Sequence, residues 1–204
     1  RCDIMWLLAF ALLGLLMCQY TFLGAVKYSN SATATVLQSL NVIIMAVLVA
    51  ARNRKRMSAA QTAAVFLALA GTYLIATGGD PGSMDLSAAG LIFGILAAVG
   101  VVTYTLLSRP IISTHGNLPV TSWGMLIGGA VLFLASGAWV IPEGLDLTAW
   151  VMIAIIVLIG TAGGFSAFLE GVRYIGPVKA TLIGCLEPAS ATVLSSLFLR
   201  TRFM

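Results

Sequence analysis

The sequence predicts an all-α fold: a polytopic bundle of transmembrane helices built from inverted five-span repeats and truncated at both ends. Three observations predict it. Hydrophobic residues make up 60% of the chain and charged residues only 9%, with a mean hydropathy of +1.04. A soluble domain carries about 25% charged residues to cover its surface, so lipid must be the solvent here. The apolar residues also gather into seven runs of membrane length, and the chain resembles itself at a long offset.

A span needs about 20 apolar residues at a rise of about 1.5 Å each. Seven segments qualify, approximately 4–26, 32–51, 59–77, 86–107, 119–141, 147–169 and 177–199, named spans A to G. Turn-forming residues separate several of them: Ser29-Asn30-Ser31, Gly78-Gly79-Asp80-Pro81-Gly82, His115-Gly116-Asn117 and Pro142-Glu143-Gly144. Helices are required, because the bilayer core offers no water to unpaired backbone groups. A membrane barrel needs alternating strands of about ten residues, and Met152 to Ile159 do not alternate.

Basic residues orient the bundle. Arg1, Arg52, Arg54, Lys55, Arg56, Arg109, Arg173 and Lys179 fall on the side of the N-terminal end; Lys27, Arg200 and Arg202 fall on the other. Eight against three puts the N-terminal end of the chain in the cytoplasm. Trp6, Trp123, Trp139 and Trp150 lie near span ends, as interfacial anchors do.

The repeat appears at an offset of 146 residues. Phe22-Leu23-x-x-Val26-Lys27-Tyr28 lies over Phe168-Leu169-x-x-Val172-Arg173-Tyr174, Ala34-Thr35 over Ala180-Thr181, and Leu40 over Leu186. Residues 5–56 and 151–202 share 13 identities in 52 pairs, where about one in ten is expected by chance in so apolar a chain. Spans A and B therefore match spans F and G, five spans later. Five is odd, so the second copy enters the membrane from the opposite side. An inverted pair of halves suits alternating access to a midplane site. The repeat also predicts two spans before span A and one after span G, ten in the intact protein.

The Tyr-x-x-x-x-Ala loop between paired spans, the basic end of span B, Leu186-Glu187-Pro188-Ala189 in span G, and the Gly90-Leu-Ile-Phe-Gly94-Ile-Leu-Ala-Ala98 start of span D together carry a likeness. The chain resembles the EamA-type family of the drug/metabolite transporter superfamily, as the third to ninth of ten spans. It departs from that family at Asn41-Val42, where a proline is usual, and at Arg52-Asn53-Arg54 and Leu199-Arg200-Thr201, where a glutamate is frequent. The resemblance implies that residues 1–77 end a first repeat, 78–85 link, and 86–204 carry a second repeat lacking its last span. It implies a bacterial inner-membrane protein that exports or exchanges small polar metabolites, amino acids or related compounds among them.

Glu187 is the first candidate for chemistry. A carboxylate near the middle of a span costs about 3 kcal/mol, so it must face a polar cavity, pair, or stay protonated. It either binds a substrate ammonium or coupling proton, or hydrogen-bonds a neighbouring span. Pro188 lacks an N–H and is expected to kink the helix. Asn41 is the repeat-mate of Glu187, and Gln38 shares its face; the two line the same cavity or act as interhelical glue. Gln19 and Tyr20 on span A and Thr103 and Tyr104 on span D place further polar or aromatic groups at depth. Glu170 is expected to pair with Arg173. Gly90/Gly94, Gly124/Gly128 and Gly160/Gly164 read as packing pairs, and His115 as a solvated turn residue.

Other classes fit poorly. The basic cluster at Arg52 to Arg56 reads as a cytoplasmic loop, not a nucleic-acid patch. Cys2, Cys18 and Cys185 form no C-x-x-C and suggest neither disulfide nor metal site. No cofactor and no metal are expected, and no Walker A sequence is present. An intramembrane enzyme lacks its nucleophile and base: Gly164-Phe165-Ser166-Ala167 misses the following glycine, and the single histidine lies in no span. A receptor or scaffold is the remaining alternative, without a need for the repeat. Expected partners are a small-molecule substrate and the bilayer; a homodimer is an open arrangement.

Overall fold

The computed structural model describes residues 2–54, 57–84, 87–137 and 146–190. Among these the chain is helical and contains no strand. Six helices among the described residues are long and apolar enough to cross a membrane: α1 Asp3–Tyr28, α2 Ser31–Asn53, α3 Ala59–Thr77, α4 Ala88–His115, α5 Asn117–Ser136 and α6 Leu147–Ile175. A shorter α7, Pro177–Gly184, begins the expected seventh span. The rest of that span, from residue 191, lies outside the described residues, as does Trp139.

Local chemistry sets the ends. Asn30 accepts from Thr33 N at 2.8 Å to cap α2. Ser58 and Gln61 form a reciprocal capping box on α3. Ser87 caps α4 at Gly90 N, 3.0 Å, and its hydroxyl donates to the Tyr28 carbonyl, tying the end of α1 to the start of α4. Asp146 caps α6 through Ala149 N. Gly116 and Gly176, each at φ 83°, stop α4 and α6, where a side chain would be strained.

Two boundaries correct the sequence reading. Span D, expected to end at 107, runs on as helix to His115. Pro110 sits inside it, and the Ser113 and Thr114 hydroxyls bond the Pro110 carbonyl at 2.7 and 3.2 Å. Arg109 is therefore helical, and His115 is the last helical residue, 3.5 Å from Asp3 of α1 in an exposed ion pair. Likewise α6 extends past 169 to Ile175, and within it Arg173 pairs with Glu170 at 3.1 Å as expected.

Helix direction follows from close approaches. Gly14 meets Tyr104, Gly100 meets Cys18, and Gly24 meets Phe93, so α1 and α4 run antiparallel. Gly124 meets Phe10, and Gly128 meets Ala11 and Leu16, so α5 runs parallel to α1. Asn117, opening α5, donates to Ser166 O at 2.6 Å late in α6, so α6 runs against α5 and hence against α1. Gly14, Gly100 and Gly128 let backbones touch, and Gly24 and Gly124 seat phenylalanine rings, where lipid supplies no hydrophobic drive for association. Around them sits the core of Phe10, Leu15, Cys18, Val101, Tyr104, Ile111, Ile112, Val120 and Leu169.

The 146-residue offset reappears in the backbone itself. A stretch of α1, Phe10–Leu16, is wound as π-helix; so is Ile156–Gly163 of α6. Between Ser39 and Asn41, α2 breaks at Leu40; α7 gives way to a turn at Cys185 and Leu186 before helix resumes at Glu187. Features so uncommon in a helix recurring at one spacing mark two copies of one unit.

Candidate functional site

The two broken helices and the two π-wound helices converge on a cavity of about 810 Å³. Ligand sites commonly measure about 300–1,000 Å³. Its lining is arranged by the repeat. Cys18 and Gly164, Gln19 and Phe165, Phe22 and Phe168, Thr35 and Thr181, Gln38 and Gly184, Ser39 and Cys185, and Asn41 and Glu187 are mates at the offset, and every one of them lines the cavity.

Each broken helix delivers its polar residues through its break. In α2 the ladder is interrupted at Leu40, whose N–H bonds Leu37 O at 3.2 Å in a tightened turn. The Asn41 amide donates to Gln38 O at 2.7 Å, bridging the break. The Gln38 amide in turn points to the Cys18 sulfur, 3.6 Å away. In the second half, Leu186 N bonds Ile183 O at 2.9 Å, and Glu187 follows. Pro188, which follows, contributes no N–H to the turn before it.

The remaining walls are aromatic and hydroxylic. Tyr104 is 7% exposed and lies with its ring 5.5 Å from Phe165 and 6.0 Å from Phe168. Thr161 bonds Ile156 O, five residues back, as π winding dictates. Thr72 of α3 is buried beside Cys185, and its hydroxyl has no hydrogen-bond partner of good geometry among the described residues. Glu187 is the single charged side chain on the lining among the described residues.

Of the residues singled out in the sequence, the structure brings Glu187, Pro188, Asn41, Gln38, Gln19 and Tyr104 together. It does not bring in Tyr20, which is 56% exposed on the outer face of α1 with its ring edge toward Phe93. Thr103 also lies off the lining. Gly160 and Gly164 are not packing glycines among the described residues: a Cβ on either meets nothing within 4 Å, and both open to the cavity. Sequence reasoning missed Phe165, Phe168, Thr161, Thr72 and the two cysteines. The offset itself points to Phe165 and Phe168, the mates of Gln19 and Phe22; nothing in the sequence distinguishes Thr72.

Residues 2–77 and 88–204 match the EamA-like transporter family in two stretches. An uncharacterized inner membrane transporter of Salmonella typhimurium, YicL, is 37% identical over 206 aligned residues, covering all of this chain and 68% of that protein. The uncharacterized transporter YwfM of Bacillus subtilis is 26% identical, covering 95% of this chain and 66% of its own length. YcbK of the same organism, also an uncharacterized transporter, is 26% identical over 75% of this chain and 51% of its own length. The chain thus spans between half and about two thirds of these relatives.

Proposed function

This chain belongs to the EamA-like transporter family and is a multi-pass membrane protein; from that premise we propose that it carries small polar metabolites, amino acids or related compounds among them, by alternating access. The observation that carries the reading is the repeat-paired lining of the cavity. Two structurally equivalent halves of opposite sense around one site can exchange conformations, and the exchange moves the opening from one face to the other. Glu187, Asn41, Gln38, Gln19 and Tyr104 are the groups that hold the solute, and the helix breaks are where the halves bend.

The same reading sets the protein in a bacterial inner membrane, as the name of its Salmonella relative reads, with the N-terminal end of the chain in the cytoplasm. The excess of basic residues on that side supports it. The test is solute flux. The intact protein reconstituted in liposomes should exchange labelled amino acids or related polar metabolites across the bilayer. Glu187→Gln should reduce the flux about tenfold, the scale of losing one charge-assisted hydrogen bond. Liposomes no leakier to such a panel than protein-free ones would overturn the reading.

A further inference from the structure

From the charge and shape of the cavity we infer that its preferred solute carries an ammonium head on an apolar or aromatic body, and that anions are disfavoured. The inference deepens the proposed function and rests on its reading of the cavity as the solute site.

The argument begins with charge. Among the described residues the lining holds one carboxylate, Glu187, and no Lys, Arg or His. The nearest basic group of α6, Arg173, is engaged with Glu170. Helix dipoles do not reverse the sign. At the α2 break the C-terminal end of Ser31–Ser39 meets the N-terminal end of Asn41–Asn53, so opposite partial charges of about half a unit each adjoin and cancel. When ionised, Glu187 is then the group that sets the local potential. An anion entering here would face a like charge in a partly desolvated space, where such repulsion is strong.

Shape supplies the rest. On the same lining as Gln38 and Asn41, the Tyr104 ring lies 5.5 Å from that of Phe165 and 6.0 Å from that of Phe168, an aromatic cluster. Ring faces attract ammonium groups and cover apolar carbon. The two mates at the breaks differ in chemistry, carboxylate against neutral amide, so the site is polar at one end in a way its pseudo-symmetry does not require. A solute with one cationic head and an apolar body matches that asymmetry. A dianion or a sugar phosphate does not.

Three probes with the same ring and different heads test this: phenethylammonium, 2-phenylethanol and phenylacetate. Binding to the detergent-solubilised intact protein is read by calorimetry. Phenethylammonium should bind about tenfold tighter than 2-phenylethanol, and phenylacetate weakest. Glu187→Gln should level the first two, and Glu187→Lys should invert the order of cation and anion. Phenylacetate binding as tightly as phenethylammonium, a preference that survives Glu187→Gln, or no binding by any probe overturns the inference. Liposome flux of other polar solutes separates the two readings. Flux without cation preference removes only this inference; Glu187-dependent cation binding without any flux removes only transport.

Discussion

Asn41 and Glu187 occupy one position in two copies of the same unit. They stand 146 residues apart, each directly follows the turn that interrupts its helix, and both face the same cavity. The pair differs by one methylene and by carboxylate against amide, so the carboxylate can be moved from one copy to the other. Moving it across the pseudo-symmetry axis, as N41E/E187N, should restore a measurable part of the flux that Glu187→Asn removes. The Asn41 bond to Gln38 O would be lost in the exchange, so recovery should be partial. A double variant no better than Glu187→Asn alone would show that the two positions are not functionally equivalent.

A second expectation concerns the contact of α1 with α4. A Cβ on Gly14 would stand 2.6 Å from the Tyr104 Cβ and 2.8 Å from its Cα; one on Gly100 would stand 2.7 Å from the Cys18 Cα. Backbone cannot swing aside as a side-chain tip can. Gly14→Ala and Gly100→Ala should therefore each cost about 1–3 kcal/mol through overpacking, seen as a lower midpoint in thermal unfolding in detergent. Gly71→Ala and Gly129→Ala, with nothing within 4 Å, are the controls. Those should leave the midpoint unchanged or raise it, since Ala is about 0.5–1 kcal/mol better than Gly in a helix.

The cavity glycines should behave in the opposite way. Gly160 and Gly164 open onto the lining with no neighbour to strike. Gly160→Leu and Gly164→Leu should therefore leave the unfolding midpoint close to that of the parent while lowering solute flux, because the new side chain fills solute space. A fall in stability matching that of Gly14→Ala would show that these glycines pack against something instead.

The contrast between these two sets of glycines explains how much was legible in advance. Span positions follow from hydropathy alone, because lipid enforces long apolar helices, and the duplicated unit follows from Tyr28 over Tyr174 and Leu40 over Leu186. Helix ends did not follow. Span D was expected to end near 107, but the helix runs on and the Ser113 and Thr114 hydroxyls fold back on it around Pro110. The polar cavity residues Asn41, Gln38 and Glu187 were conspicuous against an apolar background. Tyr20 and Tyr104 looked alike in sequence, yet one faces outward and the other inward, because rotation about each helix is set by glycine contacts that no single-sequence pattern encodes. Gly160/Gly164 matched the spacing of Gly124/Gly128 but lacks a facing helix among the described residues.

The break in the second half has an evident cause in Pro188, but its mate breaks without one. Val42 stands where Pro188 stands in the second copy, and α2 is still interrupted at Leu40. The interruption in the first copy thus needs no proline. Pro188→Ala should retain the solute affinity and most of the flux of the parent, in contrast to Glu187→Gln. Loss of binding in Pro188→Ala as severe as in Glu187→Gln would make the proline the source of the site's geometry.

The last expectation tests the sense of the two halves directly. Tyr28 ends α1 and Tyr174 nearly ends α6, and both side chains are exposed, at 47% and 76%. Contacts of Phe10 with Gly124 and of Asn117 with Ser166 make α6 antiparallel to α1. These two equivalent tyrosines must then lie on opposite faces of the bilayer. In a background with the native cysteines replaced by alanine, Tyr28→Cys and Tyr174→Cys should label with a membrane-impermeant maleimide from opposite sides of sealed vesicles. On the orientation proposed above, with the basic excess on the Arg173 side, Tyr174 is the one expected to label from the cytoplasmic face. Labelling of both from one side would leave two halves of the same sense, and a site between such halves has no symmetry-related second opening to offer.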